Sequence, residues 1–247
     1  MMQGRPLGLS AETLIEIWEQ GAGWHPIDQA LLVLRYACVD LPGEDLSEWS
    51  IGRRDRRLLE IRRQTFGDRI EGYVECPACR HGLECELSCD ALLAQDPSLA
   101  RATGSVEYEG RGWEVRVPNS RDLSAVAEAG DVAAARDTLF DRCVRCRAEP
   151  APVLGRWPES LRSRLDAELV ALDPLSEILI ELTCQTCSHV WQTLFDIVTY
   201  LWSEIRARSR RLLQEIDLLA RTYGWTEQEV LRMSERRRGL YVQMALS

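Results

Sequence analysis

Apolar positions recur at helical spacing over much of the chain, starting near its beginning. Ser10 can cap a helix that runs to about Gln20 and stops at Gly21-Ala22-Gly23. A second helix, from about Pro26 to Cys38, carries the stripe Ile27, Ala30, Leu31 and Leu34. Leu41-Pro42-Gly43 reads as a turn. A third helix is predicted from Ile51 to Thr65. It sets Leu58, Leu59 and Ile61 against Arg53, Arg54, Arg56, Arg57, Arg62 and Arg63, an expected solvated or partner-facing side, and Phe66-Gly67 ends it. A short helix is expected near Ala91. Val106 to Val117 alternates with period two around Gly110-Arg111-Gly112, the pattern of a β-hairpin. Pro118-Asn119-Ser120-Arg121-Asp122-Leu123 ends that strand and caps a helix. Helices follow at about 131–147 and 158–172, separated by Pro150, Pro152 and Pro158, and Asp173-Pro174 stops the last one. The longest element comes last. From Asp196, the positions Val198, Leu201, Trp202, Ile205, Leu212, Ile216, Leu219 and Tyr223 keep helical spacing for about 27 residues, roughly 40 Å. Its 198/205/212/219 heptad suits either a partner helix or the first two helices of the same chain. Gly224 ends it, Thr226-Glu227-Gln228-Glu229 is a capping box, and Ser234 caps a final helix.

Composition narrows what these elements can do. Of 247 residues 45% are hydrophobic, enough for a packed core. No apolar run is long enough to span a bilayer, and the first residues lack an apolar leader segment, so a cytoplasmic protein without membrane association is expected. All 30 basic residues are arginine, which excludes a Schiff-base or phosphate-loop lysine. The net charge of −9 disfavours non-specific binding to nucleic acid.

Nine cysteines are many for a reducing compartment, and their odd number argues against a disulfide framework. Three pairs have CxxC spacing, and two are alike. Tyr73-Val74-Glu75-Cys76-Pro77-Ala78-Cys79-Arg80-His81 leads into Leu83-Glu84-Cys85-Glu86-Leu87. Glu181-Leu182-Thr183-Cys184-Gln185-Thr186-Cys187-Ser188-His189 leads into Trp191-Gln192-Thr193-Leu194-Phe195. Each reads as strand, tight turn, strand, the unit of a zinc ribbon, in which two knuckles offer four thiolates to one tetrahedral Zn2+. Here residues 80–183 separate them, so the expectation is a ribbon split by a large insertion, its zinc bound by Cys76, Cys79, Cys184 and Cys187. Four thiolates leave no open position, which makes such a zinc structural. A local tetrad of Cys76, Cys79, Cys85 and Cys89 is the competing arrangement. Cys143 and Cys146 are expected one turn apart on a helix as buried small hydrophobes, and Cys38 in the core. His81 and His189 are expected to stay solvated, and His25 to cap a helix or lie at the surface.

The order of these motifs resembles the assembly-protein family of the T-even-type bacteriophage baseplate hub, found also in contractile injection systems. The resemblance rests on Gly52-Arg53-Arg54-Asp55, on Thr65-Phe66-Gly67-Asp68-Arg69 leading into Cys76-Pro77-Ala78-Cys79, on Arg116 to Leu123, on the Cys184–Cys187 knuckle with Trp191, and on Phe195-Asp196-Ile197, Tyr200-Leu201-Trp202 and Ala220-Arg221-Thr222-Tyr223-Gly224-Trp225-Thr226-Glu227. It covers most of residues 45–245 and brings no catalytic residues. It implies a non-enzymatic chaperone or component for baseplate assembly, with hub or spike proteins as partners.

The expected fold is mainly α with small β-hairpins (α+β), a helical protein built around a split zinc ribbon. Its expected segments are an N-terminal helical region (1–68), the first knuckle (69–89), an insertion (90–177), the second knuckle (178–195) and a C-terminal helical region (196–247). Trp225, Arg236, Arg237, Arg238, Leu240 and Tyr241 are the expected partner-binding residues, because aromatics and arginine anchor interfaces. The alternative is a zinc-ribbon protein that binds nucleic acid. A thiol oxidoreductase is disfavoured, because a redox CxxC sits at a helix start rather than on a hairpin.

Overall fold

The computed structural model describes residues 8–39, 41, 43–94, 100–127, 129–148 and 157–247. Pro42, Pro150 and Pro152, on which a turn and a helix separator were expected, lie outside them. The fold is mixed α+β, with small antiparallel sheets among many helices. No helix among the described residues is long and apolar enough to cross a membrane. The described parts of residues 1–40 and 198–247 form one compact unit, and those of 41–197 a second. The third helix of the expected 1–68 segment thereby belongs to the second unit.

In the first unit, helix α1 (Ala11–Gly21) is capped by Ser10, and α2 (Pro26–Ala37) by His25, whose Nδ1 accepts the Ile27 N–H at 3.3 Å. The long helix α8 (Ile197–Tyr223) matches the predicted length. Its heptad is not an open seam: Val198, Ile205, Leu212 and Leu219 are all buried. Leu212, Ile216 and Leu219 form a core with Ile15 and Val230. Buried Ser209 donates to the Leu14 carbonyl at 2.9 Å. A methyl group on Gly21 would stand 2.5 Å from the Trp202 ring, so that glycine permits α8 its close approach. Two short helices follow, α9 (Glu227–Leu231) in the predicted capping box and α10 (Glu235–Leu246) capped by Ser234.

Among its described residues the second unit holds three separate sheets. Strands β1 (Arg69–Glu75) and β2 (Gly82–Ser88) pair as one hairpin, and β6 (Leu179–Thr183) and β7 (Val190–Leu194) as another. Between them in sequence, β3 (Thr103–Tyr108), β4 (Arg111–Arg116) and β5 (Val144–Cys146) form an antiparallel sheet in that order. Its inner face, Val106, Trp113, Val115 and Val144, packs on Phe140 of α6 (Val132–Cys143) and on Leu161, Leu165 and Leu172 of α7 (Glu159–Leu172). Trp157 closes this core edge-on to Trp113, ring centroids 5.6 Å apart, and satisfies its own Nε1–H on Asp141 at 2.8 Å. Helix α5 (Ser120–Val126) starts at the predicted cap, Asn119, and α4 (Cys89–Leu93) is the short helix expected near Ala91.

Helix α3 (Ile51–Phe66) buries Leu58, Leu59 and Ile61 as expected. Its arginines depart from the expected solvated face. Arg54 and Arg62 are buried, Arg54 on the Asp55 carboxylate at 2.7 Å and Arg62 on the Gly67 carbonyl at 2.8 Å. A buried guanidinium needs such acceptors, and a sequence pattern that counts charge alone does not show them. At the start of α3 the Gly52 N–H donates to the Asp173 carboxylate at 2.8 Å, a cap supplied 121 residues away. A Cβ on Gly52 would lie 2.0 Å from Asp173 Oδ1. Gly52→Ala is therefore expected to displace the capping carboxylate and cost about 1–3 kcal/mol. Gly239→Ala, in open space within α10, should cost nothing and gain up to ~1 kcal/mol. Denaturant unfolding of both variants checks the contrast.

Candidate metal centre

The two CxxC hairpins are built alike to the level of single hydrogen bonds. In the first, the ladder ends at the Glu75–Gly82 pair and leaves Cys76 to His81 as the turn; in the second it ends at Thr183–Val190 and leaves Cys184 to His189. Cys76 N–H donates to the His81 carbonyl and Arg80 N–H to the Cys76 carbonyl, both at 2.9 Å. Cys184 and His189, and Ser188 and Cys184, repeat this at the same distances. One residue in each turn takes the left-handed conformation, Arg80 (φ 62°) and Ser188 (φ 57°), each directly after the second cysteine. That reversal aims both sulfurs of a pair to one side.

The two pairs converge. Cys76 Sγ lies 3.7 Å from Cys187 Sγ, and Cys79 Sγ lies 3.6 Å from Cys184 Sγ. All four sulfurs lie within 4.8 Å of one another. Tetrahedral coordination with metal–sulfur bonds of ~2.3 Å demands sulfur–sulfur edges of about 3.8 Å. The four residues thus fit a metal ion. Cys76 and Cys184 are buried, whereas Cys79 and Cys187 are exposed, so one sulfur of each knuckle faces inward and one outward.

The electrostatics also fit a cation. N–H groups of Cys187 and Thr186 pointing at the Cys184 sulfur bring its thiol down to about 6. The His189 N–H favours the Cys187 thiolate in the same way, but the neighbouring Cys79, Cys184 and Cys76 sulfurs outweigh it and push that thiol up to about 12. Four sulfurs at this spacing cannot all ionise unless a positive charge sits among them.

The remaining cysteines stand apart from this cluster. Cys85 and Cys89 do not join it; Cys89 is buried beside the Arg62 guanidinium, 3.8 Å from Nη1. Cys143 and Cys146 do not share a helix as expected. Cys143 is the last residue of α6, and Cys146 lies on β5 opposite Trp113. The chain turns from helix to strand at Val144, where a β-branched residue extends the inner face of the sheet. Burial, reinforced by Asp122, pushes the Cys143 thiol up to about 12, which makes it inert. Cys38 is buried, as expected. His81 and His189 lie exposed, and His189 stacks on Trp191, centroids 5.9 Å apart.

The expected partner-binding residues separate into three groups. Arg238 is buried, its Nε 2.7 Å from Glu215 of α8 and its Nη1 3.3 Å from the Met233 carbonyl. It holds two helices together and is withdrawn from any partner surface. Trp225 and Tyr241 pack against each other (4.7 Å) and against the core of their unit, with Tyr223 stacked on Trp225 at 4.6 Å. Arg236, Arg237 and Leu240 are exposed.

Sequence reasoning missed a second constellation. Asp122 is buried, and its carboxylate accepts from Arg116 at 2.5 and 2.9 Å, from Arg142 at 2.8 Å and from the Asn119 N–H at 3.0 Å. The capping spacing Asn119–Asp122 was visible in the sequence; the two arginines, on β4 and at the end of α6, were not. Compared with known proteins, the chain matches no family model, no curated protein and no solved structure.

Proposed function

We propose that the chain is a non-enzymatic assembly factor, a chaperone or component, for the baseplate hub of a phage-like contractile tail or injection system. In this reading Zn2+ fills the sulfur cluster and the two hairpins are the halves of a split zinc ribbon. The observation that carries the structural role is the closed set of four sulfurs at 3.6 and 3.7 Å contacts between hairpins. With every tetrahedral position taken by protein, the bound ion would supply cross-linking and charge neutralisation. The chain's own residues do the rest: the knuckle N–H groups orient the sulfurs, and the buried Cys76 and Cys184 exclude water from one side.

Support for the baseplate reading is the order of the sequence segments, and those segments have physical work to do. The Gly52 N–H donates to the capping Asp173 carboxylate, Arg116 and Asn119 hold Asp122, and Tyr223 and Trp225 form the aromatic cluster at the end of α8. Partner contact falls to the exposed Arg236, Arg237 and Leu240, with Met244 and Leu246 beside them on α10. Co-purification with hub and spike proteins of a contractile tail tests the reading. The wild-type chain is expected to be retained, and the Arg237→Glu/Leu240→Asp variant, altered only at exposed positions, to be lost at least tenfold as buried interface anchors are. Absence of any hub or spike protein from the wild-type eluate overturns it, as does a salt-dependent gel shift with DNA in its place.

A further inference from the structure

The outer face of the three-stranded sheet carries more guanidinium donors than the fold itself uses. Opposite the Val106–Trp113–Val115 core face, β4 presents Glu114 and Arg116, and β5 sets Arg145 directly across from Glu114. Arg142 arrives from the end of α6 and Arg147 from just beyond β5. Together they line a cavity of about 420 Å³. Four guanidiniums thus face two carboxylates, Glu114 and the buried Asp122 beneath.

Their donors are spent unequally. Arg116 is largely committed, its two terminal nitrogens donating to Asp122 and to the Val117 and Arg142 carbonyls. Among the described residues Arg142 uses only Nε, on Asp122, and Arg147 only Nε, at 3.0 Å on Glu114. Among the described residues Arg145 has no ion-pair or hydrogen-bond partner for its side chain. The terminal nitrogens of three arginines are therefore left over in one concavity. Arg142 is anchored by the buried Asp122, and Arg147 is oriented at the exposed rim by Glu114. Guanidinium forks at fixed positions suit the bidentate geometry of oxyanions.

The charge is focal. It occupies one concavity on a chain of net charge −9, and β3 brings acidic Glu107 to the same outer face. A nucleic-acid backbone requires a track of positive charge along several phosphates. One or two carboxylates require only a spot. We propose that this basin docks an acidic segment, rich in Asp and Glu, of a partner protein. The proposal does not depend on the metal or on the baseplate reading.

The test uses the full-length chain and a short, end-capped polyglutamate peptide followed by titration calorimetry. Saturable binding is expected in low salt and should vanish at about 1 M salt, where screening acts within roughly 3 Å. Arg145→Gln/Arg147→Gln should bind about tenfold more weakly, the loss of ~1.4 kcal/mol that two charge-assisted contacts readily supply. Its melting temperature should stay unchanged, because both residues are exposed and neither reaches Asp122. Arg206→Gln/Arg210→Gln, with the same loss of charge at exposed positions of α8, should bind like the wild type. The proposal is overturned if the peptide does not bind saturably, if the two double variants behave alike, or if a single-stranded oligonucleotide binds more tightly than the peptide. It is also overturned if inorganic phosphate occupies the site while the peptide does not, which would make it a small-oxyanion site.

Discussion

Replacing Cys76 or Cys184 by serine should abolish metal binding entirely and destabilise most of the second unit, not one hairpin. The reason is topological. The sulfur contacts join residues 111 and 105 positions apart, and the loop they close contains the three-stranded sheet, α6 and α7. Closing a loop of that length restricts the unfolded chain by up to about 4–5 kcal/mol in the chain-entropy model. Metal–ligand bonds would add to this, and the Trp113–Leu161 core, which contains no cysteine of the cluster, should keep the metal-free form from unfolding outright. Elemental analysis should find one ion per chain in the wild type and in Cys85→Ser, and none in Cys76→Ser or Cys184→Ser. Chelation should lower the melting temperature and reduce hydrogen-exchange protection in β4 and β5 as much as in the hairpins. Full metal in Cys76→Ser would rule out the shared site. Loss of protection confined to the hairpins would rule out long-range coupling.

The parts legible in the sequence are those set by local chemistry. The two CxxC turns could be read because a reversal between two short strands needs few residues, and all of them are contiguous. The caps at Ser10, Asn119, Thr226 and Ser234 were legible for the same reason. That the knuckles meet across more than a hundred residues was inferred from ligand count, since neither pair is complete alone, and the four sulfurs do converge. The misread features depend on distant partners. Arg54, Arg62 and Arg238 look like surface charge until Asp55, the Gly67 carbonyl and Glu215 are placed beside them. Thr138 to Cys146 reads as one helix, but β4 offers an edge for pairing, and tertiary context overrides the local period. The heptad of α8 was ambiguous in principle. A buried stripe has the same period whether a partner or the chain's own α1 covers it.

Asp122 is the clearest instance of a distant-partner effect, and its removal should be the most damaging single change away from the cysteines. Its carboxylate joins β4, the cap of α5 and the end of α6 through Arg116, Asn119 and Arg142. Asp122→Ala would leave the Asn119 N–H and two part-exposed guanidiniums without their acceptor, a loss of about 2–4 kcal/mol, below that of a fully buried pair because Arg116 and Arg142 keep 40% and 39% of their side-chain surface. Asp122→Asn keeps the shape and one acceptor, so about 1–3 kcal/mol is expected. The pH dependence separates charge from packing. Burial alone would raise the Asp122 carboxyl, but hydrogen bonds from Arg116, the Asn119 N–H and Arg142 outweigh it and bring it down from 3.8 to about 2. A carboxyl depressed by folding stabilises the native state above its ordinary range, and that contribution is lost as pH falls through the folded value. The stability gap between wild type and Asp122→Asn should therefore be constant near neutrality, narrow below pH 3.8 and nearly close by about pH 2. Protonated Asp122 is then electrically equivalent to asparagine. Urea unfolding of the two proteins across this range is the measurement. A gap that persists unchanged to the lowest pH would mean that Asp122 acts through shape and hydrogen bonding, and that the two arginines do not depend on its charge.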